Sequence, residues 1–313
     1  MTRHQAPSEA IVVNPGESIQ KALDAATSTT GKYVLVKAGL HTFPATLRIP
    51  SGVTLAGEGL STVLFLDPSS GAREAMINAD ADAHDITIRD LVIEASSKTE
   101  IPQDPNSSRS YRGGYNRGGI LFRAELEGQM KRISLINLTI RNATYSGVCI
   151  SGAAGVTVTG CDLSENGANP PPGPKLVHNL LLTHCSGVKV TASRLVNSPF
   201  GCGLALDHCT DANIANCEIS RNGYYGILVT ESSAVSAQGC LIEANDFSGI
   251  MAEFLSKGNE GLQFTGNRIQ YNNGFGVEAY AVKGLKASGN AYEGNGRGPA
   301  QEKISPEKIY VTG

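Results

Sequence analysis

The segment LALDHC places a carboxylate, Asp207, beside an imidazole, His208, at the end of a short apolar run, and one further histidine, His184, sits in the matching LLLTHC. A carboxylate that orients an imidazole is a unit for moving protons, and Glu253 and Tyr280 add a second carboxyl and a phenol at the same phase of later segments. Asp207 is the strongest catalytic candidate, with His208, His184, Glu253 and Tyr280 completing the set; a stacked structural pair is the alternative role for the two histidines. Around them lie groups suited to holding a hydroxylated or anionic ligand by guanidinium forks and ring stacking: Arg109, Tyr111, Arg112, Tyr115, Arg117, Arg123 and Lys175, with Thr183, Tyr225, Thr230 and Glu231.

These residues gain their spacing from internal repetition. Aligned segments read NLLLTHCSGVKVTASRLVNS from Asn179, GLALDHCTDANIANCEISRNG from Gly203, GILVTESSAVSAQGCLIEAND from Gly226 and GVEAYAVKGLKASGNAYEGNG from Gly276. One equivalent position, Leu91, Leu138, Cys161, Ser193, Cys217, Cys240, Asn267 and Asn290, steps by 47, 23, 32, 24, 23, 27 and 23. Units of about 23 residues, built from short alternating runs and Gly or Asn turns, stack as coils of a β-solenoid with roughly 4.8 Å between neighbours. Leu204 and Leu206 then lie between Leu180 and Leu182 on one side and Ile227 and Val229 on the other. Alternation turns the intervening residues outward, giving a row of Arg123, Ser151, Thr183, Asp207, Thr230, Glu253 and Tyr280. A second column, Asn166, Ser198, Asn222, Asn245, Asn272 and Asn295, predicts a ladder of side-chain amides along the stack.

Composition agrees with a solenoid. The 313 residues contain 36 Gly and no Trp, which suits many turns and argues against a helix bundle. A net charge of −3 excludes a general electrostatic grip on nucleic acid, and no apolar run is long enough for a membrane span. The seven cysteines contain no CxxC pair of the zinc-site kind; Cys161, Cys217 and Cys240 fall in an inward column, and Cys185 and Cys209 share a phase on adjacent coils. The beginning, MTRHQAPSEAIVV, has no long apolar core, so the location is cytoplasmic, or extracellular or periplasmic if a signal was removed. Oligomeric state is not legible.

The opening stretch has helical spacing at Ile19, Ala22, Leu23 and Ala26, the center of an N-terminal cap over residues 11–32. SIQKALDAA, GKYVLVKAGLHTF and LRIPSGVTLAGEG together resemble the start of the pectate-lyase-like superfamily of right-handed parallel β-helix proteins, and the asparagine column extends the resemblance over nearly the whole chain. The resemblance implies an all-β, right-handed, single-stranded parallel β-helix of about ten coils in one domain, 1–313, and a polysaccharide or oligosaccharide as partner. The insertions at 96–118 and 168–178, each just before a first strand of a coil, are expected to wall a groove.

Three functions follow as expectations. The first is a polysaccharide lyase or C5-epimerase on a uronate-containing glycan, with an arginine neutralizing the carboxylate, His184 or His208 as base and Tyr280 or Tyr225 as acid. Asp207-His208 resembles the Asp-Pro-His core of alginate-type epimerases, without the proline. The second is an inverting glycoside hydrolase using Asp207 and Glu253, whose backbones lie roughly 9.6 Å apart at twice the coil spacing. The third is a non-catalytic glycan-binding or tailspike-like module. Ca2+ is a possible cofactor because some relatives use it, with Asp80, Asp82 and Asp85 as the densest acidic group. Without Trp, ring stacking falls to Tyr111, Tyr115, Tyr224, Tyr225 and Tyr280.

Overall fold

A computed structural model describes residues 6–27, 32–67, 69–95, 117–168, 177–298 and 300–301. Its strands form three parallel sheets that wrap one apolar interior, two of ten strands and one of thirteen. The sheet that carries the candidate site runs from Leu47–Ile49 through Glu74–Asn78, Gly118–Arg123, Val148–Ser151, Leu180–Thr183, Leu204–Asp207, Ile227–Thr230, Ile250–Glu253 and Val277–Ala279 to Ala300–Gln301. Its ten strands among the described residues make ten coils, in line with the about ten expected. No helix among the described residues is long and apolar enough to cross a membrane.

Strand register follows the apolar alternation. Leu180 pairs with Leu204 and Leu204 with Ile227; Leu182 pairs with Leu206 and Leu206 with Val229, and all six are fully buried. A slip of one residue would turn this whole set to solvent, so the pattern pins the register. At the first coils the helix Ile19–Ala26, capped by Ser18 Oγ accepting from the Lys21 amide, lays its four apolar residues against strands Ile11–Val13, Tyr33–Val36 and Leu47–Ile49.

The corners are held by short side chains. Asn222 donates from Nδ2 to Asn245 Oδ1 at 2.9 Å, Asn245 to Asn272 at 2.8 Å and Asn272 to Asn295 at 2.9 Å, so the amide ladder forms. One rung differs from the expected column: Ser198 is too short to bridge, and Asn179 inserts its amide between Asn166 and Asn222, at 3.2 and 3.1 Å. Cys161, Cys217 and Cys240 are buried in the predicted inward column, where the Cys161 and Cys240 amides donate to Ser193 Oγ and Asn267 Oδ1. Burial pushes the Cys161 thiol up to about 11.

Candidate active site on the outward sheet face

The five site strands from Val148–Ser151 to Ile250–Glu253 are four residues long, with their first and third residues inside and their second and fourth outside. Arg123 pairs with Ser151, Ser151 with Thr183, Thr183 with Asp207, Asp207 with Thr230, and Thr230 with Glu253, so the outward row is continuous. Tyr280 follows Ala279, which pairs with Ala252, and extends the row by one coil. The other outward column is apolar along Leu121, Cys149, Leu181, Ala205, Leu228 and Met251, and ends in a carboxylate, Glu278.

The residue after each row member turns the chain through a left-handed conformation: φ is +52° at His184, +51° at His208 and +49° at Glu231. Identical turns on adjacent coils stack the two imidazoles in parallel, with centroids 4.8 Å apart and 7° between planes. The Nδ1 of His208 lies 2.8 Å from Asp207 Oδ1, which leaves Nε2 toward solvent on a residue 43% exposed. Asp207 therefore orients His208, the arrangement that prepares an imidazole to take a proton.

Glu253 stands two coils from Asp207 with Thr230 between them. Burial raises its carboxyl above the usual range; the Thr230 hydroxyl, donating at 3.4 Å, opposes this, and the Asp207 charge adds to it. A half-buried carboxyl near a more exposed one is the pattern that separates a general acid from a general base. One coil further, Glu278 accepts from the Tyr280 hydroxyl at 2.6 Å and from Ser248 Oγ at 2.5 Å. The Tyr224 and Tyr225 rings pack at 4.2 Å, tilted by 39°, and Phe247 meets Tyr224 edge-on at 4.9 Å. Burial first, and the charges of Glu253 and Glu278 in addition, hold both tyrosine hydroxyls protonated.

Several sequence-derived candidates have other employment. Arg117, expected in the groove, is 1% exposed, and its guanidinium donates to the carbonyls of Asp67 and Ser70 at 2.7 and 2.8 Å, where it ties down that turn. Glu231, expected to touch substrate, accepts backbone N–H groups of Leu255, Ser256, Lys257 and Gly258 at 2.6–3.1 Å. Burial opposes ionization of Glu231, but these four donors prevail and hold it down at about 2. Thr230 and Tyr225 are 6% and 8% exposed, so they form the floor beneath the contact surface. Thr183 remains half-buried in the row, and Arg123 is exposed, lining with Ser151 and His184 a cleft of about 660 Å3. Arg109, Tyr111, Arg112, Tyr115 and Lys175 lie outside the described residues. Asp85 is engaged by Arg132 at 2.5 and 2.6 Å, and no group of three His, Cys, Asp or Glu placed to hold a metal occurs among the described residues.

Glu231 makes a prediction of its own. Its folded value lies below the ordinary 4.5, so the clamp contributes fully above that value and is lost as the pH falls from there toward about 2. Hydrogen-exchange protection of the 255–258 amides should fall over that window, and Glu231→Gln should lower it at neutral pH. Unchanged protection in the variant would show that the loop is held by something else.

Glu278, Phe247 and the 254–258 loop were not among the sequence-derived candidates. For Glu278 the signal was present, because the alternation in FGVEAYA that turns Tyr280 outward does the same two residues earlier.

The family model described as "Right handed beta helix region" matches residues 175–303. No curated protein matches the chain. Among solved structures the chain is similar to PfbA, a surface adhesin of Streptococcus pneumoniae, at 11% identity over 96% of this chain and 95% of that one, with a TM-score of 0.55. It is also similar to the A-module of the Azotobacter vinelandii mannuronan C-5 epimerase AlgE6, at 14% identity over 90% of this chain and 83% of that one, TM-score 0.52. A third is ORF18 of Geobacillus virus E2, at 12% identity over 92% of this chain and 59% of that one, TM-score 0.53. At these identities the likeness is one of fold.

Proposed function

We propose that this right-handed parallel β-helix is a carbohydrate-active enzyme that cleaves a polysaccharide across its outward sheet face by inverting hydrolysis. Glu253 is the general acid and Asp207, with the His208 it orients, activates the water. The observation that carries this reading is the pairing of a carboxyl raised by burial with a solvated carboxylate two coils away on the same row. Their backbones are separated by roughly 9.6 Å at twice the coil spacing, next to the ~6.5–9.5 Å between carboxyls that leaves room for a water. Tyr224, Tyr225 and Tyr280, three of the five expected stacking residues, gather beside Glu253, which supports a sugar ligand.

A second reading, lyase or C5-epimerase chemistry on a uronate, is favored by one observation: the Asp207–His208 pair is itself a complete oriented base. In it His208 takes the C5 proton and Tyr280 or Glu253 returns or supplies one. Incubation with a panel of neutral and acidic polysaccharides separates the two. Hydrolysis releases reducing ends without ultraviolet absorbance from an unsaturated product, elimination gives both, and epimerization gives neither but changes the proton NMR spectrum. Release of reducing ends lost in both Asp207→Asn and Glu253→Gln is the expected result; activity intact in both variants removes this row from the mechanism.

A further inference from the structure

We infer that the stretch of the face around Glu253 receives an uncharged pyranose chain, held between two apolar walls, in preference to a polyuronate. This deepens the reading of that face as a glycan site and rests on it. One wall, at the start of the site strands, is the Tyr224–Phe247 pair over Tyr225, with Phe247 43% exposed. The other, at their ends, is the loop that directly follows Glu253, whose Phe254 and Leu255 are 38% and 72% exposed. Exposed side chains of that size in a tip would ordinarily be free to move. Here the four amides bound by Glu231 fix the backbone of the tip, so the wall stands in place before any ligand arrives.

Between the walls the floor combines apolar area from Leu228 and Met251 with the carboxyls of Glu253 and Glu278, and Asp207 lies two coils back. A pyranose offers C–H faces to aromatic and aliphatic walls and hydroxyls to carboxylates, so each part of the floor finds a complement. A uronate carboxylate in the same position meets the Glu278 carboxylate one coil from Glu253 and the Asp207 carboxylate two coils away. Among the described residues the cations on the two walls are Lys257, in the lip, and the exposed Arg297, which extends the Tyr224–Phe247–Gly274 column two coils beyond Phe247; Arg123 stands five coils from Glu253, about 24 Å, beyond the ~8 Å over which solvent-exposed charges act at physiological salt. Arg117, the other described cation expected to serve, is turned onto the 67–70 turn.

The test measures binding of the full chain to two matched pairs of polymers, polygalacturonate with its carboxyl-reduced galactan and polymannuronate with its carboxyl-reduced mannan. In at least one pair the reduced polymer should bind about tenfold or more tightly, the equivalent of one close like-charge contact removed. Phe254→Ala with Leu255→Ala should weaken that binding about tenfold at an unchanged melting temperature, and Glu278→Gln should narrow the gap within the pair. Tighter binding of the acidic member in either pair overturns the inference, as does binding of none of the four polymers. Binding is read apart from cleavage, so a chain that binds the reduced polymer and cleaves nothing defeats the proposed hydrolysis and leaves this inference standing.

Discussion

Glu253→Gln should cost about 10²–10⁴-fold in turnover and at the same time make the protein more stable at neutral pH. The loss follows from removing the proton that a leaving oxygen requires, since the amide cannot supply it. The gain follows from the sign of the shift. A carboxyl raised in the folded state binds its proton more tightly there than in the unfolded chain, so ionizing it opposes folding. That opposition begins as the pH passes the ordinary 4.5 and is complete above the raised value. The amide, with the same shape and no charge to desolvate, avoids it. Thermal unfolding should therefore give a higher midpoint for the variant at pH 7 and nearly equal midpoints at pH 4. Asp207→Asn should lose comparable activity, because His208 then lacks the carboxylate that orients it. A Glu253→Gln protein less stable than the parent at pH 7 would mean that the carboxylate is satisfied in the fold and is not poised as an acid.

The largest effect on stability is expected from the interior of the amide ladder. Asn245 is fully buried and makes four side-chain hydrogen bonds: it accepts from the Asn222 amide and Nδ2 and donates to the Ile219 carbonyl and to Asn272 Oδ1. Alanine leaves several of these partners buried without a replacement, at about 1–3 kcal/mol each before relaxation, so Asn245→Ala should cost about 3–5 kcal/mol. In a stacked array the damage also weakens the interface between neighboring coils, and unfolding should lose cooperativity there. Asn295, at the last rung, donates to Ile269 and accepts from Asn272 while partly exposed, so its removal should cost about half as much. Denaturant titrations of both variants check this; equal losses, or a loss under about 1 kcal/mol at Asn245, would show that the ladder is incidental to stability.

What sequence made legible divides along a physical line. Inward and outward columns follow from alternation, which is local, so the pairing of Leu204 with its neighbors and the row from Arg123 to Glu253 could be written down from the repeats. Partners that depend on where an insertion folds back were not legible. Glu231 looks like a member of the site because it follows the row, but its four amide donors come from the 254–258 loop, an insertion visible in sequence only as a step of 27 in place of 23. Arg117 has the same history: its type suits a ligand anion, and only the fold brings the 67–70 carbonyls to it. Asn179 entered the ladder from a different phase because Ser198, correctly placed, lacks the reach to bridge coils.

The configuration of the sugar released at first appearance tests the central claim most directly. Time-resolved proton NMR of a polysaccharide cleaved by the parent protein should show the inverted anomer before mutarotation mixes the two, and no product with Glu253→Gln. Inversion is what a water held between Asp207 and Glu253 across two coils must produce. A retained anomer, an unsaturated uronate, or equal cleavage by the variant would contradict it.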